Sequence, residues 1–115
     1  MKLIFKIASA PEWDEAVRSG AYRGSPDDLR DGFIHFSTAE QVTGTAAKHF
    51  AGRSDLVLIA VEAEALGADL KWEPSRGGAL FPHLYAVLPT SAALWVEALA
   101  VDSTGRHILP SAMRA

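Results

Sequence analysis

Apolar residues recur along the chain in short runs, most of them alternating with polar residues at the period of half-buried strands. Lys2 to Ile7 sets Leu3, Phe5 and Ile7 on one face and Lys2, Ile4 and Lys6 on the other, predicting a strand that turns Lys6 away from the core. Phe33 to Ser37 predicts another, with Ile34 and Phe36 inward and His35 and Ser37 opposite. Leu56 to Val61 is a nearly continuous aliphatic run, as in a central strand buried on both faces. Leu70 to Glu73 places Lys71 and Glu73 on one face, and His83 to Leu88 groups His83, Tyr85 and Val87 before Pro89 closes the run. Trp95 to Val101 and about Arg106 to Leu109 read as the last strands.

Two segments have helical period. Ser9 precedes Glu12 at capping-box spacing, and Trp13, Ala16 and Val17 form a stripe ending at Gly20, which predicts a helix over 10–19. Ser37 with Glu40 and Thr38 with Gln41 form two overlapping boxes, so a second helix is expected from about Ala39 to Phe50, stopped by Gly52. Glu62 to Gly67 suits one helical turn and Thr90 to Ala93 a short turn. The segment 21–31, with Gly24, Ser25, Pro26 and three aspartates, reads as a partly exposed loop, and Pro74 to Gly78 as a second loop.

A length of 115 residues fits one domain spanning 1–115, without a repeat or linker. With 49% hydrophobic and 22% charged residues, the composition is that of an ordinary globular protein, which disfavours disorder and a membrane class. The absence of cysteine excludes disulfides, thiolate catalysis and cysteine-based metal sites, and fits a reducing, cytoplasmic setting. Met1 to Ser9 lacks the apolar core and cleavage site of a signal peptide, and no run reaches transmembrane length. A net charge of −3 without a basic cluster argues against broad nucleic-acid binding while leaving room for one small phosphorylated ligand.

Candidate chemistry lies on the polar strand faces: Lys6, His35 with Ser37, Lys71 with Glu73, and His83 with Tyr85. Converging on one cleft, these faces would supply two imidazoles, a carboxylate, a phenol and a cation. Spread over the wet face of an antiparallel sheet, the same residues would carry no chemistry, Ser37 and Thr38 being caps and His35 a satisfied histidine. Arg76 beside Gly77 and Gly78 suits either an anion contact or a solvated loop. His35, His49, His83 and His107 are far apart and no H-E-x-x-H occurs, so no metal site is expected. Ser37 has no nucleophile-elbow context, and neither a P-loop nor G-x-G-x-x-G is present.

Trp13, Gly20 and Tyr22, then Gly32-Phe33-Ile34-His35-Phe36-Ser37-Thr38 with Gln41, then Glu73, then Phe81-Pro82-His83-Leu84-Tyr85 with Leu88-Pro89, resemble the bacterial proteins grouped as domain of unknown function 952. That family has been linked to the ADP-ribosyltransferase-like fold. The resemblance therefore implies a compact single α+β domain of two small, mostly antiparallel sheets with two main short helices around a nucleotide-sized cleft. It also implies NAD or an ADP-ribosyl compound as ligand, with NAD a substrate and no cofactor required. Lys6 stands where related sequences commonly have a histidine, and Ala86 where a glycine is common. Lysine can donate to a ribose hydroxyl or attract a phosphate, but does not exchange a proton near neutral pH as imidazole does.

On that resemblance the expected catalytic set is Glu73, His35 and His83, with Glu73 stabilising positive charge at the ribosyl carbon as nicotinamide leaves. Lys6, Tyr22, Ser37, Arg76 and Tyr85 would contact the ligand. Two further functions stay open: a non-catalytic sensor retaining the cleft, and a phosphoryl-transfer or RNA-end enzyme on a similar fold. Trp95 suits a core or a dimer contact equally, leaving the oligomeric state open.

Overall fold

The computed structural model describes residues 2–114, apart from the side chains of Arg76 and Arg114. In chain order the elements are β1 (Leu3–Ser9), α1 (Ala10–Ser19), β2 (Ala21–Tyr22), α2 (Pro26–Asp31), β3 (Ile34–His35), α3 (Val42–His49), β4 (Leu56–Glu62), β5 (Leu70–Pro74), β6 (Leu80–Leu84), β7 (Leu88–Pro89) and β8 (Ala93–Ala98). Two 3-10 turns separated by a kink at Gly67, within Ala63–Asp69, stand where one helical turn was expected, and a 3-10 turn at Thr90–Ala92 where a short turn was.

Three antiparallel sheets form instead of two: β1-β4-β8, β3-β6-β5 and the small β2-β7 pair. The aliphatic run of β4 is central in the first, as predicted, paired with β1 along Leu3–Ser9 and with β8 on its other edge. Reciprocal backbone hydrogen bonds of 2.8 Å between Phe5 and Ser37 join the first sheet to the chain leaving β3. This bridge sets Lys6 of β1 beside the histidine-bearing segment.

The core occupies both faces of the first sheet. Ile4 and Ala8 pack with Trp13, Tyr22, Ile34, Phe36 and Leu84 on one side, while Phe5, Ile7, Leu58 and Val42 pack on the other. Lys6 therefore does not point away from the core; it is only 4% exposed on the Ile4 face. Alternation along β1 separates two faces correctly, but both are covered.

Local signals account for α1. Ser9 Oγ accepts from the Glu12 amide at 3.2 Å, and Gly20 ends the helix at φ 89°, a left-handed conformation that glycine adopts without strain. The segment read as a loop at 21–31 instead contains β2 and α2. Ser25 and Asp28 form a reciprocal capping box and Pro26 opens the helix, so the aspartates belong to an N-terminal turn, where the helix dipole favours negative charge. Helix α3 starts at Val42, later than expected; only the Gln41-to-Thr38 half of one predicted box forms, with the Thr38 amide donating to Gln41 Oε1 at 3.0 Å.

The other differences are at strand ends. β3 pairs only at Ile34 and His35, opposite Leu84 and His83. β6 starts three residues before His83 and ends at Leu84, and the expected continuation through Leu88 becomes the separate β7. Pro82 lies within β6, where its carbonyl accepts from the Phe36 amide at 3.0 Å. β8 is Ala93–Ala98, and near the C-terminus only a Val101–His107 bridge replaces the last predicted strand. Trp95 packs against Phe5, their ring centroids 5.9 Å apart. Among the described residues, no helix is long and apolar enough to cross a membrane.

Candidate functional site

Antiparallel pairing of β3 with β6 sets His35 directly opposite His83. Their rings meet edge to face with centroids 5.6 Å apart. Phe33 supports both: its ring stacks on His83 at 4.1 Å and tilts against His35 at 4.6 Å and Tyr85 at 5.2 Å. The aromatic residue that precedes the strand thus fixes the planes of both imidazoles.

Each histidine is held by a carboxylate. β5 pairs with β6 so that Glu73 comes within reach of His83, whose Nδ1 lies 2.8 Å from Glu73 Oε1. The Tyr85 hydroxyl donates to the same oxygen at 2.7 Å. These two hydrogen bonds, that of Tyr85 the larger, hold the Glu73 carboxyl below the usual range, and Glu73 in turn pushes the Tyr85 phenol up. Lys71, which shares the polar face in sequence, makes neither contact. A carboxylate on Nδ1 fixes the tautomer that leaves the Nε2 lone pair available as a base.

His35 is held from α2. Asp28 Oδ1 lies 2.6 Å from His35 Nδ1 and accepts from the His35 amide at 3.1 Å, while Oδ2 forms a 2.7 Å ion pair with Lys6 Nζ and accepts from the Ser25 amide at 2.9 Å. Burial by itself raises the Asp28 carboxyl, but the His35 hydrogen bond and the Lys6 charge outweigh it, and the group is held well below the usual carboxylate range. Burial lowers the Lys6 ammonium below an exposed lysine, with Asp28 opposing the change. On the other side of the ring, Nε2 lies 3.0 Å from Oδ2 of Asp31. Both ring nitrogens of His35 thus face acceptors, whereas His83 faces one.

Lys6, His35, Ser37 and His83 all line one cavity of about 260 Å³, together with Asp28, Asp31 and Arg30. Of the polar faces predicted from sequence, Lys6, His35, Ser37 and His83 therefore converge, whereas Lys71, Glu73 and Tyr85 do not line the cavity. Ser37 is buried and shares a 2.9 Å hydrogen bond with Thr45 of α3. Glu73 and Tyr85 stand behind His83 and are not among the lining residues. Tyr22, expected at the ligand, is instead in the core: it is 2% exposed, packs on Trp13 with centroids 5.6 Å apart, and its hydroxyl has no partner among the described residues. The side chain of Arg76 lies outside the described residues. Among those described, no three His, Cys, Asp or Glu side chains are grouped to hold a metal ion.

Sequence reasoning missed Asp28, Asp31, Arg30 and the bracing role of Phe33. The available signal was Ser25-Pro26-Asp27-Asp28, whose spacing is that of a capping box with proline in the first turn.

No curated protein matches the chain. The crystal structure of protein CC0527 from Caulobacter crescentus is 52% identical, covers 98% of this chain and 99% of that one, and superposes with a TM-score of 0.94. The solution NMR structure of CC0527 matches at 56% identity over 92% of this chain and 91% of that one, with a TM-score of 0.83. A family model described as protein of unknown function (DUF952) matches residues 7–96, a span that includes both histidine motifs and the strand carrying Glu73. The chain belongs to the DUF952 family.

Proposed function

We propose that the cavity binds one ribose-phosphate half of NAD or an ADP-ribosyl compound, that His83 takes a proton there, and that His35 helps to hold the ligand. An ADP-ribosyltransferase-like relationship is part of this reading. The observation that carries it is the meeting of two carboxylate-backed imidazoles, with ring centroids 5.6 Å apart, at one cavity. At about 260 Å³ the cavity falls just below the range of typical drug-sized sites, so it suits half a dinucleotide better than a whole one.

The chemistry follows from the hydrogen bonds. With Nδ1–H donating to Glu73, His83 Nε2 takes the proton of a water or acceptor hydroxyl as that oxygen bonds to the ribosyl carbon. The bond from that carbon to the nicotinamide nitrogen breaks, and its electron pair leaves with nicotinamide. Positive charge developing at the carbon is stabilised electrostatically by the Asp28 carboxylate that lines the cavity. Glu73 then acts through His83 as a positioning residue.

Calorimetry with NAD and ADP-ribose, joined to a nicotinamide-release assay, tests the proposal. Binding is expected, with release reduced roughly 10²–10⁴-fold in His83→Ala, the usual contribution of a general base. Failure of both compounds to bind would overturn it, and tight binding without turnover would select a sensor. The opposed imidazoles also favour a second reading, acid–base phosphoryl transfer; turnover of a 2′-phosphorylated nucleotide without nicotinamide release would select it.

A further inference from the structure

One contact at the cavity differs from the rest in how it is held. His35 Nδ1 and the His35 amide are satisfied by Asp28, a carboxylate buried beneath the ring and fixed by Lys6 and Ser25. His35 Nε2 faces Asp31, the last residue of α2, whose side chain is 32% exposed. Arg30 holds that carboxylate from solvent, with Nε 2.9 Å from Oδ1 and Nη2 3.2 Å from Oδ2. Arg30 is itself 68% exposed and also reaches Asp27 at 3.2 Å. Ion pairs exposed to this degree contribute little and exchange readily.

Asp31 Oδ2 is therefore an anionic oxygen placed between an imidazole nitrogen and a guanidinium, the kind of partners that a phosphate or carboxylate oxygen of a ligand would seek. We propose that His35 Nε2 and Arg30 form an oxyanion site that Asp31 fills from within the chain, and that a ligand phosphate enters by exchanging with the Asp31 carboxylate. This rests on the cavity being the ligand site and adds the class of group bound at its mouth. The exchange leaves the buried Lys6–Asp28 pair in place, because Asp28 contacts the opposite edge of the ring. Arg30 then turns from Asp31 to the phosphate, and Asp31 becomes the residue that excludes weak anions.

The test compares inorganic phosphate and ribose 5-phosphate binding to the wild-type chain, Asp31→Ala, Asp27→Ala and Arg30→Gln, following the His35 ring resonances by NMR. Asp31→Ala is expected to bind either probe about tenfold more tightly, the effect of removing one charged hydrogen-bonding competitor, with His35 shifting on titration. Asp27→Ala, which also frees Arg30 from a carboxylate but touches no histidine, is expected to gain much less. Arg30→Gln is expected to weaken binding.

Equal gains in Asp27→Ala and Asp31→Ala would reduce the effect to general electrostatics and overturn the exchange. Failure of Asp31→Ala to bind either probe would overturn the oxyanion site itself. NAD binding, measured on the same variants, separates the two levels: equal affinity in wild type and Asp31→Ala removes the role of Asp31 and leaves the cavity as the ligand site.

Discussion

Asp28 is the residue on which the candidate site is assembled. Its two oxygens meet a lysine, an imidazole and two backbone amides, and its side chain is only 1% exposed. Asp28→Asn keeps the shape and removes the charge, leaving Lys6 buried without its counterion. A loss of about 3–5 kcal/mol is expected in urea unfolding, the usual consequence of removing one partner of a buried pair. At His83, Glu73→Gln removes the carboxylate behind Nδ1, whereas Tyr85→Phe removes only the second donor to Glu73 Oε1. On the proposed chemistry, Glu73→Gln lowers the turnover rate constant by on the order of 10²-fold or more while substrate affinity changes little, and Tyr85→Phe stays near wild type. Steady-state kinetics on the two variants checks this. Both histidines were legible in the sequence as members of polar strand faces, because period two needs no tertiary knowledge. Which carboxylate backs each was only half legible: Glu73 lies on a neighbouring predicted strand, and Asp28 lay in a segment read as a loop.

At the scale of elements, α2 decides whether Asp28 is presented at all. Ser25→Ala removes the capping box and is expected to lower stability by about 1 kcal/mol. Gly24→Ala should be worse. Gly24 has φ +119°, and a Cβ there would lie 2.7 Å from Asp28 Cβ, so both the backbone and the buried carboxylate would have to move. Thermal unfolding of the two variants in parallel orders them, and a Gly24→Ala protein as stable as wild type would show that this close approach is not needed. The helix escaped sequence reasoning for a physical reason. It has six residues and one large apolar side chain, Leu29, which is exposed, so no amphipathic stripe marks it. Its cap, proline and acidic first turn were the only signals, and their composition is also that of a turn.

Over the whole molecule, the Lys6–Asp28–His35 network ties the first sheet, α2 and the β3-β6-β5 sheet together, so its ionisation bears on global stability. The folded chain holds Asp28 below its ordinary value of 3.8 through His35 and Lys6, despite burial. A depressed carboxyl contributes stability that is present above the unfolded value and lost as pH falls through the folded one. Urea midpoints of the wild-type chain are therefore expected to fall as pH drops below about 3.8, and the deficit of Asp28→Asn relative to wild type to narrow over the same window. A deficit that stays constant with pH would remove Asp28 from the acid sensitivity.

The sequence by itself determined the capped α1, the central aliphatic β4, the polar alternation that singles out His35 and His83, and the family. The first three are local or periodic properties, settled by caps and side-chain spacing, and the family by its two histidine-centred motifs. Only tertiary structure decided that both faces of β1 are covered, which turns Lys6 from an exposed cation into a buried partner, and that the shared motif residue Tyr22 belongs to the core. Alternation tells which side chains point together, but what lies across from them depends on contacts between residues far apart in the chain. The Phe5–Ser37 bridge and the β3–β6 register supply those contacts here.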